Sequence, residues 1–147
     1  NFFEIGFNYR MAEFSAISLL AKLKFLSSDI KRRIIIAKKY KDNLKTQNFS
    51  IFDETIKKHS YHIFAITVNA KKRKKIMTAL KLKGIETNIH YPYNLSELKI
   101  LDKKKNKTSS PESHRISKEF ISLPIYPELN DKKILYTCKV LNQVLDS

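Results

Sequence analysis

The sequence predicts an α/β fold in which a small sheet of about three strands is covered by helices. Three observations predict it. Apolar residues recur at helical spacing in two segments before residue 45 and in one at the C-terminus. Tyr61 to Val68 alternates β-branched and aromatic residues in the manner of a strand. From there a strand–helix–strand unit runs to Ile89, punctuated by Gly84 and Pro92.

The first helix is expected from Met11 to Leu26, with Ala16, Leu19, Leu20, Leu23 and Leu26 on one face. Ser27-Ser28-Asp29 is expected to interrupt it and to cap a second helix from about Ile30 to Leu44. That helix would turn Ile34, Ala37, Tyr40 and Leu44 inward. Its polar face, Lys31, Arg32, Lys38, Lys39 and Lys41, reads as solvated. The strand Tyr61 to Val68 is apolar on both sides, which predicts a covered sheet. Ala70 to Lys83 is expected to be helical, with Ile76, Met77 and Leu80 inside. Gly84 would close it, since a residue without Cβ accepts a left-handed backbone at little cost. Ile85 to Ile89 is the next expected strand and ends before Pro92. Asp102 to Ser110 is lysine-rich and reads as a loop. Ser110-Pro111 marks a helix start, with Ile116 and Phe120 as buried contacts. Ile121 to Ile125 is a short strand. Asn130-Asp131 opens a last helix with Ile134, Cys138, Leu141 and Leu145 in its stripe, and Leu135 and Val144 adjoining. The 147 residues suit one domain, 1–147, carrying an N-terminal helical segment at 11–45.

Composition narrows the function classes. No apolar run approaches the length of a membrane span, so no membrane association is expected. The first residues lack the basic and apolar regions of a signal peptide, and a lone cysteine cannot close an internal disulfide; both suit the cytoplasm. Cys138 lies in an apolar helical pattern and reads as a buried thiol. A net charge of +15 would suit a polyanion, yet the excess is mostly lysine, which general lysine richness also produces. With two glycines, Gly6 and Gly84, a glycine-rich phosphate loop is excluded, and no aromatic RNA-binding stretch occurs, so nucleic acid is not expected. Of the four histidines only His59 and His62 are close, and they lack the ligands a metal site needs.

Two segments carry possible chemistry. Gly6-Phe7-Asn8-Tyr9-Arg10-Met11 places an amide, a phenol and a guanidinium before a helix, where free N–H groups and the helix dipole attract anions. The competing reading has Asn8 capping the helix and Arg10 pairing with Glu13. Thr87-Asn88-Ile89-His90-Tyr91-Pro92-Tyr93 places an imidazole and phenols at a strand end, a common edge for ligand contacts. The competing reading is a satisfied histidine and a packed tyrosine.

Taken in order, several stretches resemble the DegT/DnrJ/EryC1/StrS family of sugar aminotransferases. They are Gly6, Asn8, Arg10 and Met11 running into Ala12-Glu13-Phe14-Ser15-Ala16; the long basic helix at Ile30 to Leu44; Ser60-Tyr61-His62; Lys83 to Pro92; and Ser122 to Leu129. The resemblance spans nearly the whole chain. It implies the C-terminal domain of a fold type I transferase dependent on pyridoxal 5'-phosphate. It also implies a homodimer or other self-association. The implied reaction passes an amino group, from glutamate or a similar donor, to a nucleotide-linked keto-sugar used in lipopolysaccharide or another cell-surface glycan.

By the same resemblance, Asn8 matches the asparagine that reaches across the dimer to the phosphate of the partner's cofactor, and Arg10 a motif arginine beside it. His90 and Tyr91 match the segment lining the sugar site. The family's Schiff-base lysine lies upstream of the Gly6–Met11 motif, and lysines such as Lys22 and Lys38 do not have its context. The expectation is therefore that no catalytic residue lies in this chain, and that alone it neither holds the cofactor stably nor transaminates. The alternative is a truncated, non-catalytic remnant, or a basic domain that dimerises or binds an anionic partner.

Overall fold

The computed structural model describes residues 10–45, 49–51, 59–94, 97–98 and 110–146. The order is α1 (Glu13–Leu23), α2 (Leu26–Asn43), β1 (Phe49–Ile51), β2 (Phe64–Val68), α3 (Ala70–Leu82), α4 (Pro111–Glu119), β3 (Phe120–Leu123) and α5 (Asp131–Leu145). The expected α/β architecture is present, with a three-stranded sheet in the order β1-β2-β3. Both pairings are antiparallel: Phe49 opposes Val68, and Ile66 of the central strand opposes Ile121. The expected loop at 102–109 lies outside the described residues.

The membership of the sheet differs from expectation. Ile85 to Ile89 is not a ladder strand; only Asn88 forms a bridge, to Ser122. The reason is local. α3 closes with Gly84 at φ +74°, and the N–H groups of Gly84 and Ile85 go to Lys81 O and Leu80 O. This is the double hydrogen bond of a glycine-terminated helix, with buried Ile85 and Leu80 as its apolar contact. The Ile85 amide is thus already used, and the chain meets β3 only at Asn88. The third strand is β1 instead, whose three residues are too few for a period-2 pattern to register.

β2 alternates fully buried Phe64, Ile66 and Val68 with half-buried Ala65 and Thr67, so its two faces are covered unequally. The core joins this strand to α2 (Ile36, Ala37, Tyr40), α3 (Ile76, Leu80), β3 (Ile121, Leu123) and α5 (Ile134, Cys138, Leu141). On α2 the inward residue is Ile36, not Ile34, which is exposed. Ile34, Ile35 and Ile36 point three ways, and α5 selects the stripe continuous with Tyr40 and Leu44. On α5 the predicted stripe is buried, joined by Thr137 and Val140, whereas Leu135 faces solvent. Asn130 caps α5 by accepting from the Lys133 amide at 2.9 Å. Ser110 sits at the N-cap of α4 and makes no side-chain cap bond; Ile116 is half-buried, and Phe120 begins β3.

The break between the first helices falls at Lys24-Phe25, earlier than expected. Ser27 to Asp29 form the first turn of α2, where the Ser28 hydroxyl donates to Phe25 O and Asp29 meets the positive end of the helix dipole. Two cations of the α2 polar face are structural rather than merely solvated. Arg32 donates to Leu129 O at 2.6 Å, and both Arg32 and Lys39 bind Asp131 at the start of α5.

α1 buries none of its residues. Phe14, Ile17, Leu19, Leu20 and Leu23 are all more than half exposed. An 11-residue helix apolar around most of its circumference is the pattern of a buried helix, so this surface awaits a cover that the described residues do not supply. No described helix is long and apolar enough to cross a membrane.

Candidate functional site

The chain from Gly84 to His90, the exit of β3 and the first turns of α5 surround an open cleft of about 650 Å³. Its polar lining includes His62, Asn88, His90, Ser122, Lys133 and Tyr136. The Schellman closure of α3 brings this segment beside β3, and the Asn88–Ser122 bridge fixes its height: Ser122 N donates to Asn88 O at 2.8 Å and Asn88 N to Ser122 O at 3.2 Å. Tyr40 Oη donates to Pro124 O at 2.9 Å, which holds the end of β3 against α2. Tyr136 Oη donates to Lys83 O at 3.1 Å and ties α5 to the end of α3.

His90 is half-buried, and both of its ring nitrogens meet polar side chains. Its Nδ1 lies 3.0 Å from Ser122 Oγ and its Nε2 3.4 Å from Asn88 Nδ2. Tyr91, joined to His90 by a cis peptide bond, is 75% exposed; its ring meets the imidazole edge-on at 6.2 Å. Tyr91 is thus outside the cleft lining, and His90 is inside it. Arg10 is exposed and forms no ion pair with Glu13 among the described residues. Asn8 lies outside the described residues. The N-cap of α1 is Ala12, four residues beyond Asn8, and it makes no side-chain cap bond.

Reading the residues singly missed Asn88 and Ser122 as partners of His90. A signal existed for Ser122: it is the one hydroxyl inside Phe120-Ile121-Ser122-Leu123 and is 5% exposed, so it needs a partner. Cys138 is buried in the core, and burial pushes its thiol up to about 11, which makes it a packing residue and not a nucleophile. Among the described residues no three His, Cys, Asp or Glu side chains come together as a metal set. Nor do the described residues make a complete holder for pyridoxal phosphate. Its aldehyde needs an amine and its ring nitrogen a carboxylate, yet the cleft's amine, Lys133, and its carboxylate, Glu86, are both exposed.

Residues 2–142 match the model of the DegT/DnrJ/EryC1/StrS aminotransferase family. The chain is 31% identical over 139 residues to dTDP-3-amino-3,6-dideoxy-alpha-D-galactopyranose transaminase of Aneurinibacillus thermoaerophilus, covering 94% of this chain and 38% of that protein. It is 28% identical over 138 residues to UDP-2-acetamido-2-deoxy-3-oxo-D-glucuronate aminotransferase of Pseudomonas aeruginosa, covering 93% of this chain and 37% of that protein. Among solved structures it superposes on S. venezuelae DesV in complex with a ketimine intermediate with a TM-score of 0.87 at 22% identity, over 99% of this chain and 39% of that one. Helicobacter pylori PseC, an aminotransferase of pseudoaminic acid biosynthesis, gives a TM-score of 0.83 at 23% identity, over 99% of this chain and 42% of that one. The chain therefore spans well under half the length of these relatives, and it shares the aminotransferase fold of the solved structures over nearly all of its own length.

Proposed function

The chain belongs to the DegT/DnrJ/EryC1/StrS aminotransferase family, and on that premise we propose that it is the C-terminal portion of an enzyme that transfers an amino group to a nucleotide-linked keto-sugar. The observation that carries the reading is the cleft built around His90, formed by the Lys83–Pro92 and Ser122–Leu129 stretches on which the family resemblance rests. We assign His90 to the sugar-side wall of the active site, with Tyr91 at its rim. Asn8 and Arg10 serve the phosphate of the cofactor held by a partner subunit; Arg10, exposed and without an ion pair to Glu13, is available for that contact. When bound, pyridoxal phosphate supplies the electron sink for amino transfer. This chain's own groups bind and orient the sugar. Glutamate is the proposed amino donor, and the cytoplasm, where nucleotide sugars are made, the proposed compartment.

The exposed apolar face of α1 supports self-association, or cover by further protein of the same kind. Phe14, Ile17 and Leu20 lie together on a surface too apolar for a stable monomer to leave open.

The test is amino transfer, followed by mass spectrometry of the sugar product. The chain is supplied with pyridoxal phosphate, glutamate and keto-sugar nucleotides, alone and together with the complementary N-terminal portion of a relative. Activity is expected only in the combined sample and is expected to fall with His90→Ala. Turnover by the chain alone, or a combined sample indifferent to His90→Ala, would sink the reading.

A further inference from the structure

We propose that Asn88 and Ser122 are positioning residues that lock the His90 ring in its Nδ1–H tautomer, so that the ring's place and protonation in the cleft wall are set by the chain itself. The tautomer rests only on the geometry around the ring.

The reasoning starts at Asn88. Its Oδ1 accepts the Ile89 amide at 2.8 Å, which settles the orientation of the side-chain amide. The NH2 group is therefore the end that faces His90 Nε2, at 3.4 Å. Two N–H donors cannot face one another, so Nε2 carries no proton. A neutral imidazole then carries its proton on Nδ1, which donates to Ser122 Oγ at 3.0 Å. Both partners are anchored by one element. The backbones of Asn88 and Ser122 exchange hydrogen bonds at 2.8 and 3.2 Å, and Ser122 is buried within β3. The ring is thus gripped at both nitrogens by residues that cannot move independently.

A consequence for the cleft follows. Nε2 has a single lone pair and gives it to the Asn88 amide, so the imidazole stands in the cleft wall with both nitrogens already bonded within the chain.

The test is nitrogen NMR of the histidine rings in ¹⁵N-labelled chain, in alkaline solution where the imidazole is neutral. The expected result is a His90 ring protonated at Nδ1 and bare at Nε2. Ser122→Ala should lose the single tautomer and give a mixture, and Ser122→Thr, which keeps the hydroxyl, should restore it. Asn88→Asp, at an exposed position that leaves the core intact, should move the proton, because a carboxylate facing Nε2 accepts where the amide donated. A wild-type ring protonated at Nε2, or an Asn88→Asp ring still protonated at Nδ1, would overturn the inference.

Discussion

Replacing Tyr40 with phenylalanine removes one buried hydroxyl from the centre of the molecule. Tyr40 is completely buried, its ring stacks on Phe64 with centroids 5.0 Å apart, and its hydroxyl donates to Pro124 O at 2.9 Å. Phenylalanine keeps the ring and its packing and leaves the Pro124 carbonyl without that donor. The cost expected for an unmade buried bond is about 1–2 kcal/mol at neutral pH. For a chain of this length that lowers the melting temperature by about 2–8 °C. Burial, with smaller contributions from Cys138 and Tyr126, raises the Tyr40 phenol far above its ordinary value. Below about pH 10 the phenol is neutral in both states and its stabilising bond is fully present. Above that pH only the unfolded phenol ionises, and the wild type loses about 1.4 kcal/mol per pH unit from this one group. Tyr40→Phe has no such group, so the gap between the two proteins should close near about pH 11. Urea denaturation of both proteins across the alkaline range measures the gap directly. A neutral-pH difference within about 0.5 kcal/mol, the range of an ordinary surface change, would refute the reasoning. So would a gap that stays constant into alkali.

Two further outcomes follow from the frame around the cleft. The carboxyl of Asp131 is held below its usual range by Lys39 first and Arg32 second, so its contribution is present above about pH 4 and is lost as pH falls through the lower folded value. The stability difference between wild type and Asp131→Asn should therefore shrink in acid, which denaturation at a series of pH values measures; a difference independent of pH would contradict the pairing. Gly84→Ala should cost about 1–2 kcal/mol by thermal melting, all of it backbone strain. The residue sits at φ +74°, and an added Cβ meets nothing within 4 Å, so a much larger loss would mean that the space is not open.

Local chemistry was legible without the tertiary structure. The caps at Asn130 and Gly84 come from single residues acting on their own backbone. The stripe of α5 and the centre of β2 come from short periodicities, and all of these stand as read. The family was legible because its stretches keep their order along the chain. Which apolar residues turn inward was not legible wherever a run offered several phases. Ile34 and Ile36 are chemically equal, and only the position of α5 buries one and exposes the other. Strand membership was likewise a tertiary decision. Ile85 to Ile89 has the alternation of a strand, but its first amide is used in closing α3, while Phe49 to Ile51 finds a partner in β2 that its three residues do not announce. The cleft followed the same division. The sequence by itself put His90 at the end of an expected strand, Ile85 to Ile89, of which the structure keeps only the bridge at Asn88. Tertiary structure decided what holds His90, because Ser122 lies 32 residues away and reaches the ring only when β3 pairs with Asn88. Neighbour-to-neighbour chemistry is written along the chain, whereas a contact across the sheet exists only after the sheet has chosen its register.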